Sequence, residues 1–210
     1  MAIKQRLIRR VAGQFGRPHG PGGRLAGWVM AHRSSNLRRN CWAVSLLDVQ
    51  PTDRVLEVGF GPGIAVGDLG RLASSGYVLG VDHSEVMVRQ ARRRNARAVR
   101  AGRVDLCLGS VTALPGFGGP VDKILAVNSM GFWPDPVARL SELRRRLRPG
   151  GTIAIASQPR CPGATSETSA RAAREIESAL RCAGFCRIRV ETLDLDPPVA
   201  CVLAVTEGNR

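Results

Sequence analysis

From Pro51 onward, short apolar runs bounded by turn residues alternate with longer amphipathic stretches. The runs at 54–58, 77–81, 104–108, 121–127 and 152–157 are rich in Val, Leu and Ile, the pattern of strands covered on both faces. Helical stretches lie between them, among them Ser84 to Asn95 and Val137 to Leu147. Ser84 is placed to cap the first, and Glu85 falls in its first turn, where a negative charge meets the positive end of the helix dipole. Such alternation predicts an α/β fold, a parallel sheet with helices on both faces. A helix over 166–183 then precedes two strand-like segments, 185–192 and 199–205, separated by Asp194, Leu195, Asp196, Pro197 and Pro198. That interval has no room for a helical crossover, so the last two strands pair antiparallel.

Upstream of Pro51 the periodicity changes. Ile3, Leu7, Ile8 and Val11 share roughly one helical face among Lys4, Arg6, Arg9 and Arg10, which predicts a short basic amphipathic helix packed on the body of the protein. A glycine-rich segment follows, Gly13 to Gly23. Leu25, Trp28, Val29, Cys41, Trp42, Val44, Leu46 and Leu47 then predict two helical pieces joined near Ser34, Ser35 and Asn36. Proline forces the residue before it out of the helical range, so Pro51 closes this region. The chain divides into a helical appendage, residues 1–50, and a core domain, residues 51–210.

The core domain opens on Val55-Leu56-Glu57-Val58-Gly59-Phe60-Gly61-Pro62-Gly63. An apolar run with a carboxylate near its end, then glycine at alternate positions, reads as a buried strand breaking into a tight turn that starts a helix. Glycine permits backbone angles that other residues resist and lets a ligand lie on the main chain at a helix N-terminus. The dinucleotide fingerprint requires glycine, any residue, glycine, any two residues, then glycine or alanine, and neither frame of this stretch supplies the last of these. Counted from Gly59 that position is Ile64, and counted from Gly61 it is Val66.

The pattern Glu, x, Gly, x, Gly, x, Gly resembles motif I of the class I S-adenosylmethionine-dependent methyltransferases. The resemblance covers residues 54 to 205 and includes the terminal antiparallel pair, similar to the last two strands of that family's seven-stranded sheet. It implies S-adenosylmethionine as cofactor, with Gly59, Phe60, Gly61 and Gly63 presenting backbone to its methionine portion. Glu57 would steady the turn and reach the ammonium group through water. Asp82, ending the second strand, would take both ribose hydroxyls; His83 and Met87 would flank the adenine, Met87 being otherwise an ordinary core residue. Gly109, Ser110 and Val111 follow the third strand. Family members commonly carry aspartate where Ser110 stands, so its contact with the adenine amino group is weakened to one hydrogen bond. After the fourth strand, Asn128 should face the transferable methyl, with Phe132 and Trp133 lining the acceptor pocket. Residues 1–50 would cover the cofactor and shape that pocket. A base is needed only for a protonated alcohol, phenol or carbon acid; His19 and His32 are the candidates.

Composition narrows the acceptor. Net charge is +14, and with lysine only at Lys4 and Lys123, 31 − 2 = 29 of the basic residues are arginine. This excess favours anionic partners. Arginine runs such as Arg92-Arg93-Arg94 and Arg144-Arg145-Arg146 raise the alternative of an RNA methyltransferase. The aromatic share of 4% leaves little for base stacking, and Asn128-Ser129-Met130-Gly131 lacks the motif of enzymes acting on base amino groups. A small-molecule acceptor, lipophilic or anionic, is the favoured partner; a cofactor-binding protein without catalysis is the third reading. The cysteines at 41, 107, 161, 182, 186 and 201 include no C-x-x-C pair and no histidine at metal spacing. They predict no metal site and the reduced thiols of a cytoplasmic protein. No apolar stretch in the sequence is long enough to read as a membrane span.

Overall fold

The structure, a computed structural model, describes residues 33–208. Seven strands, β1 (Arg54–Val58), β2 (Tyr77–Asp82), β3 (Val104–Leu108), β4 (Val121–Val127), β5 (Leu147–Ser157), β6 (Cys186–Leu193) and β7 (Val199–Val205), form one sheet in the order β3-β2-β1-β4-β5-β7-β6. Strands β1 to β5 are mutually parallel, and β7 runs antiparallel to both of its neighbours. The alternating pattern and the short terminal interval had predicted this mixed sheet.

Helices α1 (Ser34–Leu46), α2 (Ile64–Leu72), α3 (Glu85–Arg94), α4 (Ala96–Arg100), α5 (Pro136–Arg146) and α6 (Ser166–Cys182) cover it. The two-residue period of the strands sorts the core into two layers. Val55, Leu125, Ala154, Ala156 and Leu203 belong to one layer with Ala43 and Val44 of α1, Leu47 at its C-terminal end, Val66 and Leu69 of α2, and Met87 and Ala91 of α3. Leu56, Val58, Ile124, Ile153, Ile155 and Val202 face the other way, onto Leu140 and Leu143 of α5 and Ile176 and Leu180 of α6. Removing one such leucine side chain costs about 2–5 kcal/mol, because the void closes only partly.

One strand limit departs from expectation. β5 begins at Leu147 rather than 152: Val121 pairs with Leu147 and, after a register shift, Lys123 pairs with Thr152. Arg148-Pro149-Gly150-Gly151 has the composition of a loop, but the sheet carries it as an irregular first turn of strand. His19, His32, the basic helix over 1–12 and the first helical piece of 24–49 lie outside the described residues. Among the described residues, no helix is long and apolar enough to cross a membrane.

Candidate functional site

The strand order reverses between β1 and β4, so a crevice opens at their carboxyl ends, where ligands of open α/β sheets bind. The turn after β1 fills it. Gly59, Gly61 and Gly63 all have positive φ, at 79°, 54° and 74°. At Gly59 the constraint is also steric: a Cβ would sit 2.4 Å from the Cβ of Ser129, whose hydroxyl donates to the Val58 carbonyl at 2.7 Å. Gly61 is the opposite case. A Cβ there would meet nothing within 4 Å, so its main chain borders open space. Gly63 caps α2 without any side-chain acceptor, which leaves the first-turn N–H groups of that helix to a ligand or solvent.

Phe60 serves the turn in two ways. Its side chain is buried and lies over Gly80 of β2, where a Cβ would come within 2.7 Å of the ring. The ring anchors the turn to the core, and only the backbone of Phe60 belongs to the crevice. Its carbonyl accepts from the Gly63 N–H at 3.0 Å.

Two carboxylates stand behind this turn. Asp82 is buried at the end of β2; one oxygen accepts from the Gly61 N–H at 2.8 Å and the other from the Ser84 N–H at 2.9 Å. It therefore ties the glycine turn to the start of α3, and each oxygen keeps a further lone pair. Burial pushes the Asp82 carboxyl above its usual range, a shift opposed by those two hydrogen bonds and by His83. Glu57 is completely buried within β1, and its Oε2 has no hydrogen-bond partner. Burial first, then the charges of Asp82 and Asp68, holds its carboxyl well above the ordinary value. An acid held this way ionises more readily when a cation arrives beside it, because a nearby positive charge favours the carboxylate.

The remaining predicted residues separate into those at the crevice and those in the core. His83 is half-exposed, with Nδ1 3.9 Å from an Asp82 oxygen. Of the two readings open to Met87, adenine contact or core, its burial favours core. It is 1% exposed among Val86, Ala91 and Val66, because the third position of α3 after its Ser84 cap faces inward. Gly109 continues the β3–β2 pairing through its N–H to the Asp82 carbonyl at 2.9 Å. The Ser110 hydroxyl oxygen accepts from the Thr112 N–H at 3.2 Å and from the Thr112 hydroxyl at 3.0 Å, and the Val111 side chain is buried. Asn128 adopts a φ of 53°, and its Oδ1 accepts from the Gln158 N–H at 2.7 Å. Phe132 is 63% exposed, whereas Trp133 is buried in the core layer with Leu140 and Leu143, so it does not line an open pocket. The short 3₁₀ turn Met130–Phe132 turns neighbouring aromatic side chains to opposite environments.

Several residues at the site carried no motif. Asn95 donates to the Gly63 carbonyl at 2.9 Å and would be struck by a side chain at Gly63 or Gly67. Gln158, buried just past β5, donates through Nε2 to the Pro197 carbonyl at 2.7 Å and accepts at Oε1 from Arg39 at 2.5 Å. Arg39 is 3% exposed on α1; its Nη2 also donates to Asn36, and its Nε has no partner. Burial, then the positive charges of Arg160 and Arg33, pulls its guanidinium down to about 9, still protonated at neutral pH. Gln158, Arg33 and Arg160 line a cavity of about 320 Å³, within the range of small-ligand pockets. The sequence signal was the stripe Asn36, Arg39, Asn40, Ala43, Val44, Leu47, which has the spacing of a buried helix face but starts polar.

The donor set fits S-adenosylmethionine. An orphaned buried carboxylate oxygen at Glu57, an open glycine backbone at Gly61 and free N–H groups at α2 suit an amino acid's two charges, and Asp82 has acceptor capacity for vicinal hydroxyls. Among the described residues, no group of three His, Cys, Asp or Glu is placed to hold a metal.

Known proteins agree with this reading. Residues 55–151 match a methyltransferase domain family. The uncharacterized methyltransferase YdaC of Bacillus subtilis is 31% identical over 84% of this chain and 94% of its own length. The fold is shared with a SAM-dependent methyltransferase from Aquifex aeolicus, at a TM-score of 0.65 and 23% identity over 82% of this chain and 93% of that one. It is also shared with the [4+2]-cyclase SpnF, at a TM-score of 0.68 and 17% identity over 84% of this chain and 83% of that one. A cyclase on the same fold means that architecture alone does not settle the reaction. With sequence kinship and the glycine turn taken together, the chain belongs to the class I S-adenosylmethionine-dependent methyltransferases, and S-adenosylmethionine is its cofactor.

Proposed function

We propose that the crevice holds S-adenosylmethionine with its methionine end on the Gly59–Gly63 turn and its ribose at Asp82, and that the enzyme methylates a small molecule entering beyond the ends of β4 and β5. The observation that carries this reading is Asp82 bonded at once to the Gly61 and Ser84 N–H groups. One carboxylate thereby fixes the distance between the two halves of the cofactor seat. On this reading Glu57 answers the ammonium group, His83 borders the adenine, and Gly109, Ser110 and the Val111 backbone edge the same end. Asn128 and the exposed ring of Phe132 stand on the acceptor side.

When bound, the cofactor supplies a methyl group on a sulfonium, which transfers by direct displacement without a covalent enzyme intermediate. The chain's contribution is to align the acceptor and exclude water, worth up to about 7–11 kcal/mol. Residues 1–50 are assigned as the cover of this crevice, and His19 or His32 as the base for a hydroxyl acceptor. The arginine runs favour a small acceptor over RNA. Arg92 is committed to the Leu106 carbonyl at 2.7 Å, and Arg146 to the Pro115 carbonyl at 3.0 Å with its guanidinium over the Phe117 ring. All six cysteines are free, which supports a reducing compartment such as the cytoplasm.

The test is calorimetry with S-adenosylhomocysteine, followed by incubation of labelled S-adenosylmethionine with a small-molecule panel and bulk RNA at two salt concentrations. Saturable cofactor binding and label on a small molecule are expected. Label on RNA, with the steep salt dependence of phosphate contacts, would overturn the acceptor assignment.

A further inference from the structure

The cofactor side of the site carries the buried carboxyls of Glu57 and Asp82. The far side has the opposite character. Arg33, Ser35, Gln158, Pro159, Arg160 and Asp196 border the cavity of about 320 Å³ beyond β5, and buried Arg39 backs it through its bond to Gln158. No ion pair joins Arg33, Arg39 or Arg160 to a carboxylate among the described residues. Asp196, the one carboxylate among the residues lining the cavity, is solvent-exposed. Residues 1–32 contain no aspartate or glutamate and add Lys4, Arg6, Arg9, Arg10, Arg17 and Arg24.

Three like charges beside one cleft, one of them buried and incompletely bonded, are costly to the empty protein. A guanidinium is also the side chain best matched to planar or tetrahedral oxyanions, through paired N–H donors. We propose that this arginine cleft is the acceptor's anchoring site and seats an oxyanion, a carboxylate or phosphate, carried by the molecule to be methylated. Arg33 and Arg160 touch the anion from the rim, while Arg39 is a positioning residue that orients Gln158 and charges the floor. The Gln158 N–H to Asn128 Oδ1 bond joins this cleft to the end of β4, so an anchored acceptor reaches toward the methyl group from the side opposite the acidic floor. This inference rests on the methyl-transfer reading above.

The experiment uses the full chain saturated with S-adenosylhomocysteine. Inorganic phosphate and citrate are titrated separately by calorimetry and thermal shift, against sodium chloride at matched ionic strength. At least one anion is expected to bind with a dissociation constant in the millimolar range or tighter and to raise the melting temperature beyond the chloride control. Phosphate alone or citrate alone identifies which oxyanion the cleft prefers. Arg160→Gln and Arg33→Gln, both at exposed positions, should each weaken that binding tenfold or more while S-adenosylhomocysteine still binds. Neither anion binding above the chloride control, or binding undiminished in both variants, overturns the proposal. If anions bind through Arg160 but S-adenosylhomocysteine does not bind, the oxyanion site stands and the transfer reading fails instead.

Discussion

The Gln158 main-chain N–H donates to Asn128 Oδ1 at 2.7 Å, joining the residues that follow β5 and β4. Each partner faces a different half of the site. The Asn128 N–H donates to the Ala156 carbonyl at 2.8 Å, and the preceding strand pairs with β1, which ends in the glycine turn. Gln158 spends its side chain on Arg39 and the Pro197 carbonyl. A cationic cofactor over an acidic floor and an acceptor beside arginines would meet across this bond.

Asn128→Ala deletes the acceptor for the Gln158 N–H. It also places alanine at a φ of 53°, which asparagine tolerates better. A stability loss of about 1–3 kcal/mol is expected from the unpaired donor and the strain together. Asn128→Asp keeps the oxygen and should lose less. Thermal unfolding of both variants checks the order, and an alanine variant as stable as the parent would remove this bond from any structural role.

Gly59→Ala and Gly61→Ala should separate folding from binding, although both glycines have positive φ. The first drives a methyl into Ser129 at 2.4 Å and is expected to destabilise by about 1–3 kcal/mol. The second meets no protein atom within 4 Å, so beyond a backbone strain of about 1 kcal/mol it should fold normally and lose cofactor affinity. Melting curves paired with S-adenosylhomocysteine titrations read the two effects apart. Normal cofactor binding by Gly61→Ala would mean that the cofactor does not lie on this turn.

Much of this was legible in the sequence because strand periodicity and glycine spacing are local signals. The stretch 54–58, the turn at Gly59 and the acid at Asp82 could be read without any partner. Trp133 was misread, and Met87 left open between adenine and core, for a shared reason: proximity along the chain to a ligand-bearing turn does not say which way a side chain points. Met87 and Phe60 are turned into the core that holds the turn in place. Arg39 and Gln158 lie 119 positions apart, and no local pattern announces a bond that only the sheet order creates. Asn95 was legible as a helix end but not as the brace of Gly63, 32 positions earlier.

Asp82→Asn tests the joint between turn and ribose seat. The amide retains one acceptor but turns an NH₂ toward either the Gly61 or the Ser84 N–H, both of which the carboxylate now satisfies. A cofactor affinity loss on the order of tenfold or more is expected, about 1.4 kcal/mol for each factor of ten. Calorimetry measures it directly, and an unchanged dissociation constant would dissociate Asp82 from the cofactor.

Glu57→Gln gives a prediction whose sign follows from proton linkage. The buried Glu57 carboxyl titrates well above 4.5, so the folded protein holds this proton more tightly than the unfolded chain does. Its contribution to stability is then fully present below about 4.5 and is lost as pH rises through the raised folded value. Glutamine has no proton to lose. The variant should match the parent in mild acid and become the more stable of the two toward alkaline pH, while Asp82, whose carboxyl is also raised, leaves its own slope in both proteins. Cofactor binding should reveal the same proton. A cationic ammonium group near Glu57 favours its ionised form, so the parent should release protons on binding S-adenosylhomocysteine, detectable as a dependence of the calorimetric heat on buffer ionisation enthalpy. In Glu57→Gln that release should shrink and the affinity fall. If the two proteins keep parallel stability profiles across the pH range and release equal numbers of protons, Glu57 is not the group that answers the cofactor's charge.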